Sequence, residues 1–190
     1  MGQDKALLEM ADGRTMVQHA ADRLARVCAD VVVASGSSRP LTGFRTVPDG
    51  PGRGPVAGIL GAAESAASPE TEILVLACDL PAVPVELLRA LVSQDPLASW
   101  VLPRWRRGLE PLCALYRPEA LAALRQRAER GRFALHTLES KVVTAYLEGD
   151  ALHMVGRPEE MFLNVNTAAE FKIWSGRGLK DSVKAKREGG

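Results

Sequence analysis

The sequence predicts a single layered α/β domain, and three features of the chain carry that expectation. Helical patterns of apolar residues alternate along the chain with short runs rich in β-branched residues. The run 73–77 is apolar without alternation, which is typical of a parallel strand covered on both faces. A length of 190 residues and a hydrophobic fraction of 46% suit one domain that buries most of its apolar surface.

Composition excludes several classes of protein. Lys and Arg number 24 against 23 acidic residues, so a net charge of +1 argues against a nucleic-acid partner. No apolar run approaches the roughly 20 residues that span a bilayer, and the first residues lack the apolar core of a signal peptide. Cys28, Cys78 and Cys113 lie far apart without a Cys-x-x-Cys pair, which argues against a disulfide framework. We therefore expect a cytoplasmic protein without a membrane or nucleic-acid partner.

The first third of the chain predicts one helix and two strands. Thr15 is a good N-cap, and apolar residues at helical spacing extend the helix to about Cys28. Residues 31–34 predict a strand that stops in the turn 35–38, and 44–47 predict a weaker strand.

The central segment begins with a loop. Gly and Pro interrupt 48–55 at nearly every position, so no regular structure is expected there. Small residues over 56–67 predict a closely packed helix, which precedes the strand at 73–77. A helix at 85–91 and a strand at 100–102 follow.

The last part of the domain repeats the alternation. The expected elements are an exposed basic connection at 104–108, a strand at 112–116, a helix from Pro118 to about Arg130, a short helix at 135–138, strands at 142–146 and 162–165, and a helix from Thr167. We place the domain at 1–174 and expect the polar, lysine-rich end 175–190 to be disordered.

Two features near the start of the chain could contact phosphate. Lys5 precedes an apolar stretch and is either a phosphate-neutralising lysine or a solvated one. The Gly/Pro-rich loop 49–58 leads into a helix, and its N–H groups could cradle an anion. A long surface turn without a ligand explains the same loop.

Asp79 follows the most apolar strand, at the end where open α/β sheets place their ligands. A carboxylate there could hold Mg²⁺, and the alternative is a cap for the next helix.

His19, His136 and His153 have no metal-ligand spacing and are expected to be ordinary surface or packing residues. The basic run 104–107 either attracts an anionic substrate or is a solvated loop.

Six motifs occur in order along the chain. They are Met1-Gly2-x-Asp4-Lys5-Ala6-Leu7-Leu8, Pro48-Asp49, Gly54-Pro55-Val56-Ala57-Gly58, Leu76-Ala77-Cys78-Asp79-Leu80-Pro81, Pro111-Leu112-Cys113-Ala114-Leu115-Tyr116 and Phe162-Leu163-Asn164-Val165-Asn166-Thr167. Together they resemble the molybdenum cofactor guanylyltransferases, of the wider nucleotidyltransferase group, from Met1 to about Trp174. The resemblance implies a Rossmann-like three-layer α/β nucleotidyltransferase fold with a mostly parallel mixed sheet.

The resemblance also implies an activity and a site. The reaction would transfer GMP from GTP to the phosphate of molybdopterin and release pyrophosphate, with Mg²⁺ as cofactor. The implied roles are phosphate contact for Lys5, a place in the nucleotide site for Asp49, flanking of the nucleotide by Gly54, Pro55 and Gly58, binding of Mg²⁺ and phosphate by Asp79, and docking of the pterin beside Asn164 and Asn166. Lys5 and Asp79 are the expected catalytic residues. The implied partners beyond GTP and molybdopterin are molybdoenzymes or other proteins of cofactor biosynthesis.

The chain departs from the family pattern at two places. The family opens with a strand and a Leu-Ala-Gly-Gly-x-Ser-x-Arg loop directly before the Met-Gly that is here Met1-Gly2. We therefore expect the first strand of the fold to be missing here, with an exposed sheet edge, and a misassigned start or a truncation would explain it. If the chain is complete as given, weak or no activity and low stability are expected. Ala34 stands where the family often has Asn, and Ser35 could replace that contact. A transferase that uses CTP or another phosphorylated acceptor, and a non-catalytic nucleotide-binding fragment, remain alternatives.

Overall fold

Helices and strands alternate along the chain as the sequence predicts. The computed structural model describes residues 5–10, 12–35, 41 and 43–165, with the backbone alone at Lys5. The helices are α1 (Met16–Leu24), α2 (Pro55–Glu64), α3 (Val85–Val92), α4 (Pro118–Glu129), α5 (Gly149–His153) and α6 (Pro158–Met161), with 3₁₀ turns at Lys5–Leu7 and Leu135–Ser140. The strands are β1 (Val33–Ala34), β2 (Thr46–Val47), β3 (Ile73–Leu76), β4 (Trp100–Trp105), β5 (Gly108–Leu109), β6 (Cys113–Tyr116) and β7 (Thr144–Leu147).

The strands form a five-stranded sheet and a separate two-stranded one. The larger sheet has the order β3-β6-β4-β5, with β7 also paired to β4, and the smaller sheet is the pair β1-β2. Among the described strands, β1-β2 and β4-β7 are parallel, whereas β3-β6, β4-β6 and β4-β5 are antiparallel. The sheet is therefore mixed, as expected, although the parallel pairs are not the majority among the described pairs.

Helices cover both faces of the larger sheet, which confirms the three-layer α/β arrangement. Alternate residues of β4 point to opposite faces, as the pleat of a strand requires. Trp100 and Leu102 join a core with α2 and α4, whereas Val101 joins a second core with α3. Because β4 and β6 carry apolar side chains on both faces, they lie at the centre of the domain.

The start of α1 is fixed by a capping box. The Thr15 hydroxyl accepts the Gln18 N–H at 3.3 Å, and the Gln18 side-chain oxygen accepts the Thr15 N–H at 2.7 Å. The Thr15 cap is thus confirmed. The helix ends at Leu24 rather than at about Cys28, because the chain continues from Ala25 as a turn.

Replacing Thr15 with alanine is expected to lower the free energy of unfolding by about 1 kcal/mol, because an N-terminal N–H of α1 loses its acceptor. Urea denaturation followed by circular dichroism measures this loss. Thr15→Ser keeps the hydroxyl and serves as the control, so equal stability of both variants would contradict the role of the cap.

The strand predicted at 73–77 is present, but its expected environment is wrong. β3 pairs antiparallel with β6, and all four of its residues are only half-buried. Its other edge borders a cavity between the two sheets. An unbroken apolar run indicates cover on both faces and does not encode the direction of the neighbouring strand.

Several boundaries also differ from the expectation. The strands at 31–34 and 44–47 shrink to β1 and β2, and the strand at 142–146 moves to β7. The basic segment 104–108 is the end of β4 and its hairpin with β5, rather than a plain connection. The strand expected at 162–165 is absent, since Phe162 lies in the turn after α6 and residues 163–165 are irregular.

The remaining helices agree more closely with the expectation. The small-residue helix is α2, which begins one residue early and ends at Glu64, and α3 and α4 lie where they were expected. The helix from Thr167 and the end 175–190 lie outside the described residues. No helix within the described ranges is both long and apolar enough to cross a membrane.

Candidate active site

The candidate site lies where the chain leaves β3. Asp79 sits in the turn after that strand, and it is partly exposed. Its backbone carbonyl accepts the Val165 N–H at 3.0 Å, and the Arg23 guanidinium of α1 donates to the Pro81 carbonyl at 2.6 Å. Two distant parts of the chain, α1 and the segment at Val165, therefore contact the loop that carries Asp79.

A cavity of about 830 Å³ adjoins this loop. Residues 31–35 form one wall and residues 71–79 form the opposite wall, so the cavity separates β1 from β3. Its lining is dominated by Ala, Val, Leu and Ile side chains, and no described strand bridges the two walls. The exposed edges of β1 and β3 thus border an apolar slot that ends at Asp79.

The cavity brings several expected site residues together. Pro55, Gly58 and Asp79 all line it, and so does Ala6, the neighbour of Lys5. The side chain of Lys5 lies outside the described residues, so the expected convergence of Lys5 and Asp79 on one phosphate stays a prediction. Asn166 also lies outside them, whereas Asn164 is exposed and adjoins Val165, which contacts the Asp79 backbone.

The Gly/Pro loop is held tightly against α2. The Gly50 N–H donates to the Ala57 carbonyl at 2.8 Å, and a Cβ on Gly61 would lie 2.1 Å from the Pro48 carbonyl oxygen. Gly54 caps α2 with φ at 54° and offers no capping side chain. The positive end of the helix dipole is therefore left for a negatively charged group.

Asp49 and Gly54 do not line the cavity. Both residues are exposed, although they belong to the loop that packs on α2. Their expected contact with a nucleotide stays a prediction. Ala34 and Ser35 line the cavity beside Gly58, and the Ala34 Cβ lies 3.3 Å from the place that a Gly58 Cβ would occupy.

Glu110 is a residue of the site that the sequence reasoning missed. It lies directly before the turn that leads into β6, and its carboxylate accepts the Trp105 indole N–H at 2.6 Å. Burial raises the pKa of Glu110, the Trp105 hydrogen bond and Arg107 lower it, and the charge of Asp79 raises it further. An acidic residue directly before the quoted Pro111-Leu112 motif was the available signal.

The basic hairpin is largely neutralised by its neighbours. Arg104 pairs with Glu148 and stacks on the Tyr146 ring, and Arg106 pairs with Glu159 at 3.2 Å. These exposed pairs favour the solvated interpretation of this run. The histidines show ordinary contacts as well, since His19 contacts Asp12 and His153 contacts a backbone carbonyl of its own helix.

The donor set near Asp79 fits a hard cation with few protein ligands. Asp79 offers carboxylate oxygens, and the described residues include no group of three or more His, Cys, Asp or Glu that could hold a metal. Mg²⁺ takes one or two carboxylates and fills its remaining positions with water and substrate phosphate. The residues present therefore suit Mg²⁺ carried by a nucleotide, and they do not suit a metal caged by protein alone.

Comparison with solved structures supports the fold. Molybdopterin-guanine dinucleotide biosynthesis protein A from Archaeoglobus fulgidus is 20% identical, with a TM-score of 0.76 over 94% of this chain and 92% of that one. A 2-C-methyl-D-erythritol 4-phosphate cytidylyltransferase from Thermus thermophilus is 17% identical, with a TM-score of 0.68 over 92% and 93%. The chain thus has the α/β fold with a mixed sheet that these nucleotidyltransferase structures share.

Comparison of sequences identifies the family. A probable molybdenum cofactor guanylyltransferase from Pelotomaculum thermopropionicum is 33% identical over 90% of this chain and 83% of its own length. A molybdenum cofactor guanylyltransferase from Desulfosudis oleivorans is 27% identical over 90% and 85%. The family model described as the MobA-like NTP transferase domain matches residues 1–144. Because this match covers most of the chain, the chain belongs to the family of MobA-like nucleotidyltransferases.

Proposed function

We propose that this chain transfers GMP from GTP to the phosphate of molybdopterin and releases pyrophosphate. The observation that carries the proposal is the 33% identity, over 90% of the chain, to a relative with the name of that activity. The arrangement of the site supports it, because Asp79 lies at one end of a cavity that Pro55 and Gly58 of the Gly/Pro-rich segment also line. Membership of the family supports a nucleotidyltransferase activity. That the substrates are GTP and molybdopterin is what we propose beyond it.

In this reaction the protein mainly positions the two substrates and stabilises the negative charge that develops. An oxygen of the acceptor phosphate attacks the α-phosphorus of GTP, the bond to the bridging oxygen breaks, and the electron pair leaves with pyrophosphate. The acceptor phosphate is already ionised, so no general base is required. The histidine contacts agree with this, since His19 and His153 are engaged with groups of their own segments.

The residues of the site divide this work. The N-terminus of α2 favours phosphate through its dipole, and Lys5 would add a positive charge. Asp79 would hold Mg²⁺, which supplies positive charge against the charge that builds on the pyrophosphate. Asn164 directly precedes Val165, whose N–H bonds to the Asp79 loop, and it would lie on the pterin side.

The first experiment compares nucleotides. With Mg²⁺ present, GTP is expected to raise the melting temperature more than CTP does. The two nucleotides differ only in the base, so the difference in melting temperature measures how well the site binds guanine compared with cytosine. A ligand at a hundred times its Kd stabilises the folded state by about 2.7 kcal/mol, which a thermal melt detects readily. Stronger protection by CTP would instead favour the cytidylyltransferase alternative, whose fold the Thermus thermophilus structure shares.

The second experiment measures turnover. GTP, Mg²⁺ and molybdopterin are expected to give pyrophosphate and the guanine dinucleotide product, detected by a coupled pyrophosphate assay and by mass spectrometry. Protection by GTP without any pyrophosphate release would contradict the enzyme and favour a nucleotide-binding fragment.

A further inference from the structure

A second cavity, of about 540 Å³, lies at the carboxyl end of α4. Arg127 lines it from the last turn of the helix, and Arg132 and Lys141 line it from the segment that follows. Thr137 and Ser140 add two hydroxyl groups, and none of the described residues that line the cavity is acidic. We call this cavity the basic pocket.

Arg127 is the buried cation of the basic pocket, with only 8% of its surface exposed. Its Nη2 donates to the Ala134 carbonyl at 3.3 Å and to the Thr137 hydroxyl. Its Nε is buried and has no hydrogen-bond acceptor within the described ranges. The guanidinium has therefore lost most of its water, and only neutral groups replace it. A buried charge in such surroundings costs free energy unless an opposite charge lies nearby.

The described chain supplies no such opposite charge. Arg127, Arg132 and Lys141 form no ion pair with any described residue. Glu139, an acid of the 3₁₀ turn that borders the pocket, instead accepts the Tyr146 hydroxyl at 2.8 Å. The basic pocket thus differs from the basic hairpin, whose arginines have acidic partners on the surface.

Backbone contacts hold the cations of the pocket together. Gly131 has a φ of 71°, so the chain reverses directly after α4, and the Arg132 N–H then donates to the Arg127 carbonyl at 2.9 Å. On the other side of the helix end, a Cβ on Gly52 would lie 3.6 Å from the Ala128 Cβ. The Gly/Pro-rich loop therefore packs on the same turn of α4 that carries Arg127.

We propose that the basic pocket binds a phosphate group, carried by inorganic pyrophosphate or by a phosphate monoester. A monoester has about two negative charges near pH 7 and three oxygens that accept hydrogen bonds, which suits several cations and two hydroxyls better than a single carboxylate does. The pocket is separate from the cavity that ends at Asp79, since no described residue lines both. This inference does not rest on the proposed function.

The test measures binding by isothermal titration calorimetry, without Mg²⁺ or GTP. Pyrophosphate is titrated in one series and glycerol 3-phosphate in the other, and the series with the higher affinity identifies the source of the phosphate group. Arg132→Gln and Lys141→Gln are each expected to weaken binding about tenfold, because each removes one charge-assisted hydrogen bond. Both side chains are exposed, so these variants should fold like the wild type.

Arg127→Met removes the buried charge and keeps an apolar stem, and it is expected to abolish binding. Arg127→Lys keeps the charge without the planar fork and should bind between the wild type and Arg127→Met. Arg130→Gln is the matched control, since Arg130 is exposed on the same turn and does not line the pocket, and it is expected to bind like the wild type.

Two results would overturn the site. One is a wild type that binds neither compound, and the other is wild-type affinity in both Arg132→Gln and Lys141→Gln. Protection of the melting temperature by GTP with Mg²⁺ is expected to persist in these two variants. Failure of the basic pocket would therefore leave the proposed nucleotidyl transfer intact, and absence of GTP protection in every variant and in the wild type would count against that transfer alone.

Discussion

Replacing Asp79 with asparagine is expected to lower the Mg²⁺-dependent release of pyrophosphate by about a hundredfold or more. The amide keeps the size of the side chain and loses its negative charge. The loop keeps two contacts that do not involve this side chain, since the Val165 N–H bonds to the Asp79 backbone carbonyl and Arg23 bonds to the Pro81 carbonyl. The loss is therefore expected in the chemical step, with little change in folding.

The measurement is single-turnover pyrophosphate release at saturating GTP over a range of Mg²⁺ concentrations. Asp150→Asn, at an exposed carboxylate in the first turn of α5, provides the matched control and is expected to react like the wild type. If Asp79→Asn retained the wild-type rate at low Mg²⁺, the carboxylate would have no part in catalysis. A melting temperature close to that of the wild type shows that the variant is folded.

Gly61→Ala is the substitution expected to damage the fold most. A Cβ at this position would lie 2.1 Å from the Pro48 carbonyl oxygen, 2.9 Å from the Gly50 nitrogen and 3.2 Å from the Asp49 carbonyl carbon. These contacts are with backbone, so the loop at 48–50 must move away from α2. Overpacking of this kind costs about 1–3 kcal/mol or more, and the gain in helix propensity returns about 1 kcal/mol at most.

We expect a net loss of about 2 kcal/mol, which lowers the melting temperature of a chain of this size by roughly 4–8 °C. Gly58→Ala is a matched comparison on the same helix, since its Cβ would meet only the Ala34 Cβ, at 3.3 Å. The cost of this one close contact and the gain in helix propensity roughly offset each other. The free energy of unfolding of Gly58→Ala should therefore change by less than about 1 kcal/mol. Equal melting of the two variants would show that the loop does not depend on its close contact with α2.

The elements that sequence reasoning placed well are those with local causes. The Thr15 cap with Gln18 lies within four residues of chain, and Pro118 begins α4 at a position where its missing N–H has no cost. The interruption by Gly and Pro before α2 is equally local. These features depend only on residues that are close in the sequence, so they can be predicted without knowing how distant segments pack.

The errors concern residues whose structure depends on a distant partner. The apolar run at β3 indicates burial, yet its antiparallel partner β6 is supplied by a segment far along the chain. Residues 162–165 have the composition of a strand, but Phe162 packs against Trp105 and Val165 bonds to the Asp79 loop, so no ladder forms there. β-Propensity describes a surface that suits packing, and it does not guarantee a strand neighbour.

The sequence by itself determined the α/β class and the mixture of capped helices and apolar strands, and it predicts a role for Asp79 after β3. The tertiary structure alone decided that β3 pairs antiparallel with β6, because the two strands lie far apart in the sequence. It also decided that β1 and β3 border an apolar slot and that Arg104 and Arg106 are held in surface ion pairs. Local propensity acts within a few residues, whereas strand register and the formation of ion pairs between distant residues depend on how the whole chain packs.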